Sequence, residues 1–397
     1  MNKKMSMYFV INNALSELVY HIFIFAIPIY IFMQTQSPLA MSSFRALQLL
    51  PNVLLGLFIG LVIDRINKQK VLFFSVFIQF VLFVFLYGLY KMELFSLLNV
   101  YVITFVLYSL VLLFDQANYA MIPFVIEREE LSKVNSAISM SDTAISLLGP
   151  AIAGVIIAIV GMEGMFWIIG LLFIMLFIPV LSLKKADFRK QKVDEPKRQL
   201  KEDLFLGFSY LKKENKELLN FTILILLVNI AISFSSAILM YFSLQQLKMN
   251  SQSLGLLLSV ASIGGIVGSI FFKKINQFFR NGIRTILFCL IILCGSQLVL
   301  FFSWHSFTLM IGLFLTNLSV FVLNIFYSTY RHAYTPEHIM GRVTAATSMI
   351  MKLSAPLSFI SAGILAEAIN IKLIFLISAL ILFLLVMRYS RKHIQPI

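Results

Sequence analysis

Apolar runs of 18 residues or more recur along the whole of this chain, and each is long enough to cross a hydrocarbon core of about 30 Å. Twelve can be marked, at roughly 7–33, 39–63, 70–90, 96–124, 133–161, 164–184, 218–247, 252–274, 282–303, 306–334, 341–369 and 371–391. Composition agrees with that reading. Charged residues make up 13% of the 397 and hydrophobic ones 60%, at a mean hydropathy of +0.92. A soluble domain carries about 25% charged residues. The expected fold is therefore an all-α membrane protein with twelve transmembrane helices, not a soluble domain with greasy core helices. The opening MNKKMSM resembles the start of a signal peptide. The apolar run after it is too long for one, contains Glu17 and lacks a small-residue cleavage site, so it reads as a retained first span.

Positive residues set the expected orientation. With both termini inside, 27 of the 32 Lys and Arg fall on inner segments, eleven of them between Lys184 and Lys216. Only Lys91, Lys248 and Lys372 fall outside, and Arg45 and Lys352 lie within spans. Topology thus accounts for the net charge of +14, and nucleic-acid binding is not needed to explain it.

The one shift in composition, residues 185–217, divides the chain six spans and six. The expected organisation is a first half at 1–184, a cytoplasmic linker at 185–217 and a second half at 218–397. Within the linker Leu200, Leu204, Phe208 and Leu211 stand at helical spacing, as in an amphipathic helix on the inner surface. The halves also look repeated. IEREELSKVNSA from Ile126 matches TPEHIMGRVTAA from Thr335, Gly149-Pro150 matches Ala355-Pro356, and GLVIDRINKQ from Gly60 matches GSIFFKKINQ from Gly268. The three offsets are 209, 206 and 208 residues, in the same order along the chain. Six plus six spans in parallel repeats is a transporter architecture.

The stretch GLVIDRINK, with Gly60, Asp64, Arg65 and Lys68, falls between the second and third spans and resembles the signature loop of the major facilitator superfamily. Glycine lets helices approach closely, and Asp64 can face the positive N-terminal end of another helix. TQSPLAMSSFRALQLLPNVLLGLFIGLVIDR, FDQANYAMIP, LSKVNSAISMSDTAISLLGPAIAG and the GRV at 341–343 are similar to the drug:proton antiporter branch typified by bacterial macrolide-efflux pumps. The likeness covers nearly the whole chain, with a partial pattern around Gly149-Pro150 and an uncommon Lys352. It implies gating roles for Gly60, Asp64, Arg65, Lys68, Gly149, Pro150, Gly341 and Arg342. It also implies that Asp115 completes the latch with Lys68. On that basis Asp64→Asn is expected to leave a folded, inserted protein whose transport is cut several-fold; normal flux from a well-expressed variant would refute the latch.

Ionisable residues inside spans are functional candidates by default. Glu17, Asp142 and Lys352 all fall about 14–17 Å from the inner edge at 1.5 Å per residue. Asn13, Glu17 and His21 share one helix face. Asn135, Ser139, Asp142 and Ser146 form a second polar stripe, and Thr344, Ser348 and Lys352 a third. Asn13, Glu17, His21, Arg45, Asp142 and Lys352 are the candidate proton-coupling and cargo residues. Static pairing is the alternative: Glu17 with His21 as a tether, or Asp142 neutralising Lys352 or Arg45.

No Walker loop, nucleophile motif or metal-ligand spacing is present in the sequence. The expectation is a non-enzymatic, proton-coupled antiporter without a cofactor, working as a monomer in the bacterial cytoplasmic membrane with both termini inside. It would export a small amphiphile such as a macrolide. The alternative cargo is an endogenous anion such as a siderophore, which Arg45 and Lys352 would suit. A membrane-embedded sensor or enzyme is a further alternative.

Overall fold

The computed structural model describes residues 2–56, 58, 59, 63, 66–183, 200–279 and 282–390. Among these the chain is helical throughout, without strands. The first five helices are α1 (Asn2–Thr35), α2 (Pro38–Leu54), α3 (Lys68–Lys91), α4 (Leu97–Val125) and α5 (Arg128–Leu183). The others are α6 (Leu200–Lys213), α7 (Lys216–Gln245), α8 (Ser251–Phe279), α9 (Gly282–Phe301), α10 (Ser306–Tyr334), α11 (Met340–Ala368) and α12 (Lys372–Ser390).

Ten of these are long and apolar enough to span a membrane. The comparison with twelve expected spans turns on two elements. At 56 residues, α5 is far too long for one crossing, and its helix is broken at Gly161, where φ is 69° and ψ −174°. That left-handed φ is open to glycine at no steric cost, and it falls where the fifth expected span ends and the sixth begins. The second expected span is described as far as the 17 residues of α2, with most of 57–65 outside the described residues.

Local chemistry sets the helix starts. Asn67 caps α3 by accepting from the backbone N–H of Gln69 and Lys70 at 3.0 and 3.2 Å. Ser96 caps α4, and Asn215 caps α7 through the N–H of Leu218 at 2.9 Å. Each satisfies donors that no intrahelical carbonyl reaches.

The helices fall into two compact units. The first comprises Met1–Gln36, Leu47–Val193 and Asn250–Ser259; the second comprises Ser37–Ala46, Asp194–Met249 and Val260–Ile397. The core of the first joins Phe9, Ile63, Leu72, Phe114, Ile138 and Leu176. An aromatic seam continues it between α3 and the second segment of α5, with Tyr90 and Phe166 ring centroids 4.8 Å apart. Phe77, Phe85, Trp167 and Ile178 on these helices point outward, an exposure suited to lipid. The core of the second unit joins Leu224, Leu290, Phe326, Tyr330 and Leu382.

The amphipathic helix α6 belongs to the second core. Leu211 is fully buried there, while Phe208 is 37% exposed. The Tyr210 hydroxyl and the Asn215 amide both donate to the Tyr334 carbonyl at 3.1 Å. Docking against the C-terminal end of α10 therefore uses the 207–211 face; the side chains of Leu200 and Leu204 lie outside those described. The expected surface helix is thus tied to protein, because open helix ends offer it hydrogen-bond acceptors that a lipid surface would not.

Small residues let α5 and the first turns of α8, which belong to the first unit as far as Ser259, meet backbone to backbone. A Cβ on Gly255 of α8 would lie 2.2 Å from the Pro150 carbonyl oxygen, and one on Gly154 of α5 would lie 2.4 Å from the Ser251 carbonyl oxygen. One turn along, the Ala151 N–H donates to Ser259 Oγ at 3.1 Å. Ser251, Gly255 and Ser259 recur every four residues, so one face of α8 is narrow enough for this approach.

Candidate functional site

In the first unit α1, α4 and α5 bring together three carboxylates, Glu17, Asp115 and Asp142. Each lies well inside its helix, roughly 15–22 Å from the nearer end. On α1 the i,i+4 spacing places His21 Nε2 3.6 Å from Glu17 Oε2. The approach of α1 to α5 depends on Gly149, where a Cβ would lie 2.8 Å from the His21 Cβ. One turn before Glu17, Asn13 Nδ2 donates to Asp142 Oδ1. The Tyr119 hydroxyl, from α4, donates to Asp142 Oδ2 at 3.4 Å.

Asp115 does not join Lys68. The ammonium of Lys68 lies 5.6 Å over the Phe124 ring, and among the described residues the two form no ion pair. Asp115 instead lies within electrostatic reach of both Glu17 and Asp142. The reason is depth. Because α4 continues to Val125, Asp115 stands ten residues, about 15 Å, from that end.

Three residues of this cluster escaped the sequence reading. Asn12 Nδ2 donates to Asn118 Oδ1 at 2.9 Å, and both side chains are fully buried. Asn12 Oδ1 and Asn118 Nδ2 are left without partners among the described residues. Together with Tyr119, these residues follow Asp115 at i+3 and i+4 or adjoin Asn13. That spacing was a usable signal. In the expected second stripe the Ser146 hydroxyl turns to its own backbone and donates to the Thr143 carbonyl at 2.9 Å.

The remaining expected residues lie elsewhere. Arg45 and Lys352 belong to the second unit. The Arg45 guanidinium stands 6.0 Å from the Phe359 ring centroid, at the edge of cation–π range. Lys352 is exposed near the middle of α11. Gly341 and Arg342 form the first turn of α11, and Gly341 has open space around its Cα. Pro150 offers its carbonyl to the α5–α8 seam. Gly60, Asp64 and Arg65 lie outside the described residues. Among the described residues no three His, Cys, Asp or Glu side chains converge in a metal-binding group.

Comparison with known proteins agrees with this architecture. The chain matches the family model described as Major Facilitator Superfamily over residues 9–359. A search of curated protein sequences finds no match. Among solved structures, a nucleoside transporter is similar at a TM-score of 0.76 and 15% identity, covering 99% of this chain and 100% of the other. A bacterial homologue of the iron transporter ferroportin, in an inward-facing state, aligns at 0.73 and 16% identity over 98% and 99% of the two chains. A bacterial homologue of the human lysosomal transporter Spinster aligns at 0.70 and 12% over 99% and 98%. At such identities these likenesses establish the fold, while the family match covers most of the sequence. This multi-pass membrane protein belongs to the major facilitator superfamily.

Proposed function

We propose that the protein is a proton-coupled exporter of a small amphiphilic molecule, of the kind represented by macrolide drugs, working by alternating access without a bound cofactor. The observation that carries the reading is the cluster of Glu17, Asp115 and Asp142 deep within three membrane helices. Like charges so placed disfavour one another's ionisation, so the site has reason to take up and release a proton. The direction of transport comes from the sequence likeness to macrolide-efflux pumps. Similar structures include a bacterial homologue of an iron transporter and a nucleoside transporter, and the shared fold does not choose between such cargoes.

A second reading, export of an anionic metabolite such as a siderophore, draws on Arg45 and Lys352 within helices of the second unit. An ammonium near the bilayer centre costs on the order of 3 kcal/mol on insertion scales, so a cargo that brings an anionic group would be favoured beside Lys352. Lys352→Ala is expected to weaken binding of an anionic cargo at least tenfold more than that of a neutral or cationic one, with little change in Tm. Equal loss for all cargoes with a clear drop in Tm would make Lys352 a structural charge.

The exporter reading is tested in proteoliposomes. Flux of macrolides, cationic dyes and ferric siderophores is followed with and without an imposed pH gradient. Gradient-dependent flux of one class is the expected result; flux indifferent to the gradient for every class would refute proton coupling.

A further inference from the structure

The three carboxylates of the first unit are not equivalent. Glu17 has the His21 imidazole at 3.6 Å. Asp142 accepts hydrogen bonds from the Asn13 amide and the Tyr119 hydroxyl. The two donors favour the charged form of Asp142, and Glu17 has a ring partner within ion-pair range. Asp115 receives neither a hydrogen bond nor an ion pair among the described residues, and it feels the charge of both other acids. Its own helix places Asn118 and Tyr119 one turn away, but Asn118 is engaged with Asn12 and Tyr119 with Asp142.

The helices packed against α4 offer no rescue. From α1 come Glu17 and His21, and from α5 Asp142. The other charged side chains described on α3 and the first segment of α5 lie near helix ends: Lys68, Lys70 and Lys91 on α3, and Arg128, Glu129, Glu130 and Lys133 on α5. When like charges share a site, the proton goes to the member least supported as an anion.

We infer that Asp115 is the carboxyl that carries the coupling proton, with Glu17 and Asp142 as the anionic neighbours that govern its uptake and release. This rests on the proton-coupled reading and assigns Asp115 a role other than the gate latch that the sequence likeness implies. It also explains the fully buried Asn12–Asn118 pair one turn from Asp115. The pair's spare acceptor and donor can hold a water beside the carboxyl, giving the proton a partner to leave by.

Infrared difference spectra of the purified protein, recorded during a pH titration in lipid nanodiscs, test this without knowledge of the cargo. The carbonyl band of a protonated carboxylic acid should shift when the protein is made with 13C-labelled aspartate and stay in place with labelled glutamate. It should be lost in Asp115→Asn and survive in Asp142→Asn. If Asp115→Asn fails to fold, Asp115→Glu replaces it, and there the band should follow labelled glutamate. A band that follows glutamate in the wild-type protein, or that survives in Asp115→Asn, overturns the assignment. Because the band needs no transported molecule, the proteoliposome flux assay judges the exporter reading separately.

Discussion

Export driven by a pH gradient should fall at least tenfold in Glu17→Gln and in Asp142→Asn, while cargo binding survives. An amide keeps the shape of either side chain and can still accept a hydrogen bond. In the first variant the new amide would remain beside His21, and in the second it would still present an oxygen to Asn13 and Tyr119. What disappears is a negative charge close to Asp115. Without it the free-energy difference between the protonated and ionised cluster shrinks, and an exporter can convert a proton gradient only through such a difference. Binding is to be measured by calorimetry on purified variants and flux in proteoliposomes. If both variants retain full pH-dependent export, the proton passes through other residues and the cluster is structural.

A second large effect is expected from Gly255→Leu on α8. The glycine Cα faces Pro150 at backbone distance, and an added Cβ would fall 2.2 Å from its carbonyl oxygen and 3.2 Å from the Ala151 Cα. Backbone cannot rotate aside as a side chain can, so the two helices must separate. Separation also breaks the Ala151 N–H to Ser259 Oγ bond at 3.1 Å. Overpacking of this kind costs about 1–3 kcal/mol or more, and a lowered Tm with near-complete loss of flux is expected. Gly88→Leu and Gly295→Leu serve as controls, because nothing lies within 4 Å of a Cβ at either position. Wild-type stability and flux in Gly255→Leu would show that the close approach is not needed.

Much of the cluster was visible along α1. Asn13, Glu17 and His21 share a face because four residues are close to one helical turn, and the structure finds the Glu17–His21 contact there. Asp142 was legible as a charge inside an apolar run. Asp115 was legible too, but its neighbours were not. The family likeness pointed it at Lys68, whereas depth along α4 and the rotation of that helix turn it toward α1 and α5. Neither rotation nor partner is encoded in the spacing of residues on one helix.

The sequence by itself determined that the chain is a bundle of membrane helices, where most of them begin and end, and which residues interrupt them. Those properties are local. A run of apolar residues must form a helix in hydrocarbon to satisfy its own backbone, and Asn67, Ser96, Asn215 and Gly161 act on the turn beside them. Only the tertiary structure decided that Asn13 meets Asp142 across 129 residues, that Asn12 meets Asn118 across 106, and that Ala151 meets Ser259 across 108. It also decided that α6 joins the second core and that Ser37–Ala46 groups with the second unit while Asn250–Ser259 groups with the first. In a membrane the lipid is as apolar as the helix surfaces, so hydrophobicity does not select which faces meet. Close packing at small residues and a few buried polar contacts select them, and both require the partner helix to be in place.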